Sequence, residues 1–173
     1  GAVTPLDWDP VNGWEWGTIL PDPLNPNTVY ATGNGVIRIS YPSEEWVNVS
    51  PAQDPSLRLR ANSDAPLLFS PWDPHTLYAG FQYLMATSDG GVHWTKMSPN
   101  LGYPANFPIP PDSAPPKPGD PIGGTIMSIG ASTVARGTIW VGINTGLVKV
   151  TRDNGRTWSD ASDFQRRGQI HSV

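Results

Sequence analysis

The chain has 173 residues, of which 8 Trp, 5 Tyr and 4 Phe supply enough large apolar side chains for one ordinary domain with its own core. Fifteen carboxylates against eleven lysines and arginines give a net charge of −4 with no basic stripe, which argues against a nucleic-acid partner. The absence of cysteine excludes a disulfide framework, a thiolate metal site and a cysteine protease. No apolar run approaches the roughly 18–20 residues of a membrane span, and Gly1 to Pro10 show no signal-peptide pattern, as a mature or trimmed chain also would not.

In chain order, the first distinctive segment is "LDWDPVNGWEWG" (6–17), with three tryptophans in twelve residues. Trp8, Trp14 and Trp16 are candidate stacking faces for sugar rings or peptide side chains, although core rings fit the same composition. Asp7, Asp9 and Glu15 stand beside them. Next, "ILPDPLNPNTVYATGNGVIRISYPSEEWVNVSP" (19–51) and "LLFSPWDPHTLYAGFQYLMATSDGGVHWTKMSP" (67–99) carry the same punctuation: an apolar strand, a proline turn at Asn25-Pro26 or Asp73-Pro74, Tyr30 or Tyr78, and Trp46 or Trp94 sixteen residues later. In the second copy the expected strands are 66–70, 76–81, 83–88 and 93–98.

A Pro-rich insertion follows at 101–123, carrying Tyr103 and Phe107 as candidate ligand contacts; an inert linker is the equal alternative. The third copy, 124–162, replaces the tyrosine by Trp140 and reaches Trp158 after eighteen residues. Its "TRDNGRTW" (151–158) repeats "TSDGGVHW" (87–94) with Thr, Asp, Gly and Trp at identical offsets. "QIHSV" (169–173) reads as the first strand of a further unit, which would begin at about 168. Helical periodicity is absent, and 20 Pro and 18 Gly suit short strands cut by many turns.

Four-stranded units of about 45 residues with an aromatic at a fixed place predict an all-β fold of β-propeller blades. About three are present, at approximately 14–51, 64–99 and 122–162, an incomplete ring. The two octapeptides resemble the Asp-box, or bacterial neuraminidase repeat, and the wider phrases over residues 14–162 are similar to sortilin-type, glycosyl-hydrolase-like propellers of bacterial secreted proteins. The resemblance implies a secreted or periplasmic location and places the box on the outer part of each blade, away from a central channel.

The octapeptides read as turn brackets. A tight turn leaves backbone N–H groups unpaired, a carboxylate at its start accepts them, glycine supplies a positive φ, and the tryptophan buries its ring. Thr87, Asp89, Gly91 and Trp94, with Thr151, Asp153, Gly155 and Trp158, are therefore expected to be structural. The first repeat departs: "SYPSEEW" (40–46) lacks the Asp and Gly and must close its turn by other means.

A glycosidase needs two carboxyl groups about 5–10 Å apart. Asp64 and Asp120, just before the first strands of two blades, are the better-placed candidates; solvated loop carboxylates are the competing reading. The arginines at 38, 58, 60, 136, 152, 156, 166 and 167 form no recognisable carboxylate-binding cluster, and His75, His93 and His171 are too scattered for a metal. No cofactor is expected. Two functions stay open: a non-catalytic propeller segment that binds protein or glycan, and part of a xyloglucanase- or sialidase-like hydrolase with catalytic carboxylates partly outside this chain. In either case the expected partners are the remaining blades or further copies of the chain, since three blades do not close a ring.

Overall fold

The computed structural model describes residues 17–33, 35–60, 65–104, 107–111 and 123–161. They form three four-stranded antiparallel sheets, each a meander in chain order. The first blade is β1 (Ile19–Pro21), β2 (Thr28–Gly33), β3 (Gly35–Ser40) and β4 (Glu45–Asn48); the second is β5 (Leu67–Ser70), β6 (Asp73–Gly80), β7 (Leu84–Thr87) and β8 (Thr95–Lys96); the third is β9 (Ile126–Ala131), β10 (Ile139–Ile143), β11 (Val148–Thr151) and β12 (Ser159–Asp160). The opening strands of neighbouring blades touch, β1 with β5 and β5 with β9, so the first strand of each blade lies innermost. The fold is a segment of a β-propeller, three blades in an open arc.

The cores lie between blades, and the period of two along each strand explains how one sheet serves both neighbours. From the second blade, Leu77, Ala79, Phe81 and Met85 join Tyr30, Val36 and Val49 of the first. The alternate residues Tyr78, Leu84 and Ala86 join Ile126, Ile139, Val141 and Ile143 of the third. The central strands β7 and β11 are consequently buried on both faces throughout. Each fully covered side chain of this size stabilises the arc by about 1.5–3 kcal/mol.

One punctuation mark falls elsewhere than the sequence suggests. The turn between β5 and β6 is at Pro71 and Trp72, and Asp73-Pro74 already belongs to β6, beside a register shift between Phe69 and Ser70. Proline is tolerated there because β7 pairs with β6 only from Leu77 onward, so no donor is missed at Pro74. Asp73 organises the entry: Oδ1 accepts from the His75 N–H at 3.1 Å and Oδ2 from the Thr76 hydroxyl at 2.7 Å.

Candidate functional site

The meander sorts the loops onto two ends. At one end lie the second hairpins of the blades and the long connectors between blades; at the other lie the first hairpins and the two octapeptide turns.

The octapeptide turns are built alike. The Thr87 hydroxyl donates to Asp89 Oδ1 at 2.8 Å and accepts from the Gly91 N–H at 3.0 Å. Asp89 Oδ1 in turn accepts from the His93 N–H at 2.9 Å, while Oδ2 lies 2.6 Å from His93 Nδ1. In the third blade, Thr151 bridges Asp153 Oδ1 at 2.8 Å and the Gly155 N–H at 2.9 Å. Asp153 accepts from the Thr157 N–H at 2.8 Å and the Thr157 hydroxyl at 2.6 Å. The Thr157 hydroxyl and N–H hold the Asp153 carboxyl down to about 2, and the His93 N–H and ring, with Thr87, hold Asp89 well below the ordinary carboxylate range.

Both turns also reach the preceding blade. The Trp94 indole N–H donates to the Val49 carbonyl at 2.8 Å, and a Cβ on Gly91 would lie 2.6 Å from Val49 Cβ. The Trp158 indole N–H donates to the Met97 carbonyl at 3.3 Å and to Gly155 O at 3.2 Å, and a Cβ on Gly155 would meet the same Met97 carbonyl. Gly91 and Gly155 both sit at φ +90°, so glycine is required for conformation and for clearance. Val49 and Met97 each stand three residues past the tryptophan of their own blade. This seat on the preceding blade could have been found by aligning the repeats three residues beyond the octapeptide. A further tie joins the first two blades, Arg38 Nη1 donating to Gly90 O at 3.2 Å.

The first blade closes its turn differently. Ser43 Oγ donates to Ser40 O at 3.3 Å, Glu44 adopts φ 56°, and Trp46, 56% exposed, pairs with Ile39 as part of β4.

At the connector end, a buried polar network underlies the candidate contacts Tyr103 and Phe107. Gln82 is fully buried; its Oε1 accepts from the Arg60 N–H at 2.7 Å and its Nε2 donates to Arg58 O at 2.9 Å. Arg60 Nη2 extends to Asn100 Oδ1 at 3.2 Å and Gly124 O at 3.3 Å. The guanidinium lies 5.7 Å from the Tyr103 ring centroid, and Tyr103 stacks on Phe107 with centroids 5.3 Å apart. Tyr103 is thus 8% exposed and packs the connector. Trp8, Trp14, Trp16, Asp64 and Asp120 lie outside the described residues, as do Asp7, Asp9 and Glu15.

Each described aspartate already holds a structural partner. Asp22 accepts from the Leu24 N–H at 2.8 Å, Asp54 from the Ser56 N–H at 2.9 Å, and Asp160 pairs with Lys149 Nζ at 2.8 Å; Asp73, Asp89 and Asp153 close turns as above. Among the described residues no cluster of three or more His, Asp or Glu side chains could hold a metal ion, and no helix is long and apolar enough to cross a membrane.

This geometry defines the class: blades of a β-propeller, clasped one to the next at the octapeptide turns. No family model matches the chain, and no curated protein is similar to it in sequence. Among solved structures it is similar to the GH74 enzyme of Niastella koreensis, with a TM-score of 0.52 and 15% identity over 89% of this chain and 23% of that one. It is also similar to the GH74 xyloglucanase of Xanthomonas campestris, with a TM-score of 0.43 and 18% identity over 91% of this chain and 31% of that one. The chain therefore spans less than a third of either protein, and the first likeness shows the β-propeller fold.

Proposed function

We propose that these three blades are a non-catalytic arc of a larger Asp-box propeller of the sortilin-like type, which binds a glycan outside the cytoplasm. Further blades or copies of the chain complete the ring. The observation that supports the non-catalytic assignment is the engagement of every described aspartate in a turn or an ion pair, while the described glutamates, Glu44 and Glu45, are neighbours at an exposed turn.

Completion of the ring is supported by the two outer faces. Tyr30 and Tyr78, covered by the next blade, are 3% and 4% exposed, whereas Trp140 at the corresponding place in the third blade is 37% exposed. Trp46, on the last strand of the first blade, is open as well. Ala161, three residues past Trp158, is the seat on which a following blade would dock.

The alternative, that the arc contributes catalytic carboxylates to a hydrolase, is favoured by the likeness to the Niastella koreensis enzyme. The deciding experiment measures reducing-sugar release from xyloglucan and other β-glucans by the assembled protein and by its Asp64→Asn and Asp120→Asn variants. The scaffold reading expects glycan retention in affinity electrophoresis and equal rates, including zero, in all three. A loss of about a hundredfold or more in either variant establishes a catalytic carboxylate and overturns it.

A further inference from the structure

The two interblade grooves at the octapeptide end differ in volume, and so does the residue paired with the tyrosine of each blade. Tyr30 pairs with Arg38 across β2 and β3, and Tyr78 pairs with Ala86 at the same place across β6 and β7. Arg38 reaches across its groove to Gly90 O, leaving a cavity of about 220 Å³. Ala86 is too short to cross, and about 600 Å³ stays open between the second and third blades. That volume is within the range of about 300–1,000 Å³ usual for small-molecule sites.

The lining carries three aspartates and three arginines, which differ in the hydrogen-bonding capacity they leave. Asp73, Asp89 and Asp153 border the groove, but turn donors already occupy their oxygens. Arg136, Arg152 and Arg156 border it too. The side chains of Arg136 and Arg156 make no hydrogen bond or ion pair among the described residues, although the Arg156 N–H donates to Asp153 and the Arg136 charge is felt at Asp73; Arg152 rests over Trp140 at 6.0 Å. At the mouth, the Trp72 indole N–H donates to Ser132 O at 2.7 Å, which fixes a ring that is 42% exposed.

We propose that this groove binds an acidic saccharide unit, with a uronate carboxylate held by the guanidiniums of Arg136 and Arg156 and the sugar ring stacked on Trp72. Guanidinium matches a carboxylate in charge and in planar, two-point geometry. An indole held in one orientation offers an apolar face to the C–H side of a pyranose. The site lies at the opposite end of the blades from Tyr103 and Phe107 and needs neither hydrolysis nor a particular number of blades; it rests on the glycan-binding reading and gives that glycan a charge, so retention of neutral β-glucans without trigalacturonate binding would sink this site alone.

The test is titration with trigalacturonate, and with neutral maltotriose as control, following the Trp72 indole resonance by NMR. Trigalacturonate should bind saturably, more weakly as salt is raised, and maltotriose should not. Ala86→Arg, which installs at a buried position the side chain that Arg38 supplies one groove earlier, should lower affinity about tenfold or more in the fraction that folds. Arg136→Gln combined with Arg156→Gln should do the same without narrowing the groove. Absence of saturable trigalacturonate binding, equal binding of maltotriose, or unaltered affinity in the folded double variant overturns the proposal.

Discussion

The inner interfaces of the arc and its two outer faces carry equivalent positions in opposite states. Trp94 and Trp158 are partly buried with their indole N–H groups donating to the blade before them, while Trp46 lies exposed. In the first blade, which has no predecessor among the described residues, the turn also lacks the aspartate and the glycine. The difference teaches that the octapeptide joins blades as well as closing a turn. Threonine and aspartate shape the loop so that the tryptophan and the bare glycine backbone can meet one residue of the neighbouring sheet.

The largest expected effect breaks that contrast directly. Trp94→Ala should destabilise the protein by about 3 kcal/mol in chemical denaturation, through lost burial and a stranded Val49 carbonyl, whereas Trp46→Ala should stay within about 0.5 kcal/mol. Equal effects would remove the distinction between clasped and open tryptophans. Gly155→Ala comes next, at about 2 kcal/mol, since a Cβ at φ +90° is strained and also meets the Met97 carbonyl.

The smallest effect sharpens the comparison between the two clasps. Asp153 titrates at about 2 in the folded protein against 3.8 for a free aspartate, so its contribution is fully present above 3.8 and is lost as pH falls toward 2. Below 3.8 the unfolded chain takes up the proton first, and folding is progressively disfavoured. Asp153→Asn should flatten the acid limb of a stability-against-pH curve over that window and change the slope near neutrality little. Asp89, lowered in the same direction with His93 in the place of Thr157, should give the same sign.

The blades were legible in the sequence because their determinants are local: alternating apolar residues, turn glycines and the repeated Thr, Asp, Gly and Trp offsets. Asp73-Pro74 misled for a local reason too, since Asp-Pro signals a turn but here opens a strand just past one. What stayed hidden was non-local. Gln82 looks like an exposed hairpin residue until Arg60, 22 positions earlier, is seen to use it as an acceptor. Nothing in a Pro-rich loop announces that Tyr103 lies over the Arg60 guanidinium with Phe107 stacked on it. The clasp itself pairs Trp94 with Val49 and Trp158 with Met97, 45 and 61 residues apart.

Hydrogen exchange of the indole N–H groups, resolved residue by residue by NMR, tests the clasp most directly. Trp94 and Trp158 should exchange slowly, with Trp94 the better protected because its bond to Val49 is the shorter, at 2.8 Å against 3.3 Å for Trp158 to Met97, while Trp46 exchanges at the rate of a free indole. If Trp94 and Trp158 exchange as fast as Trp46, the octapeptides close their own turns without joining the blades, and the account of how this arc holds together is wrong.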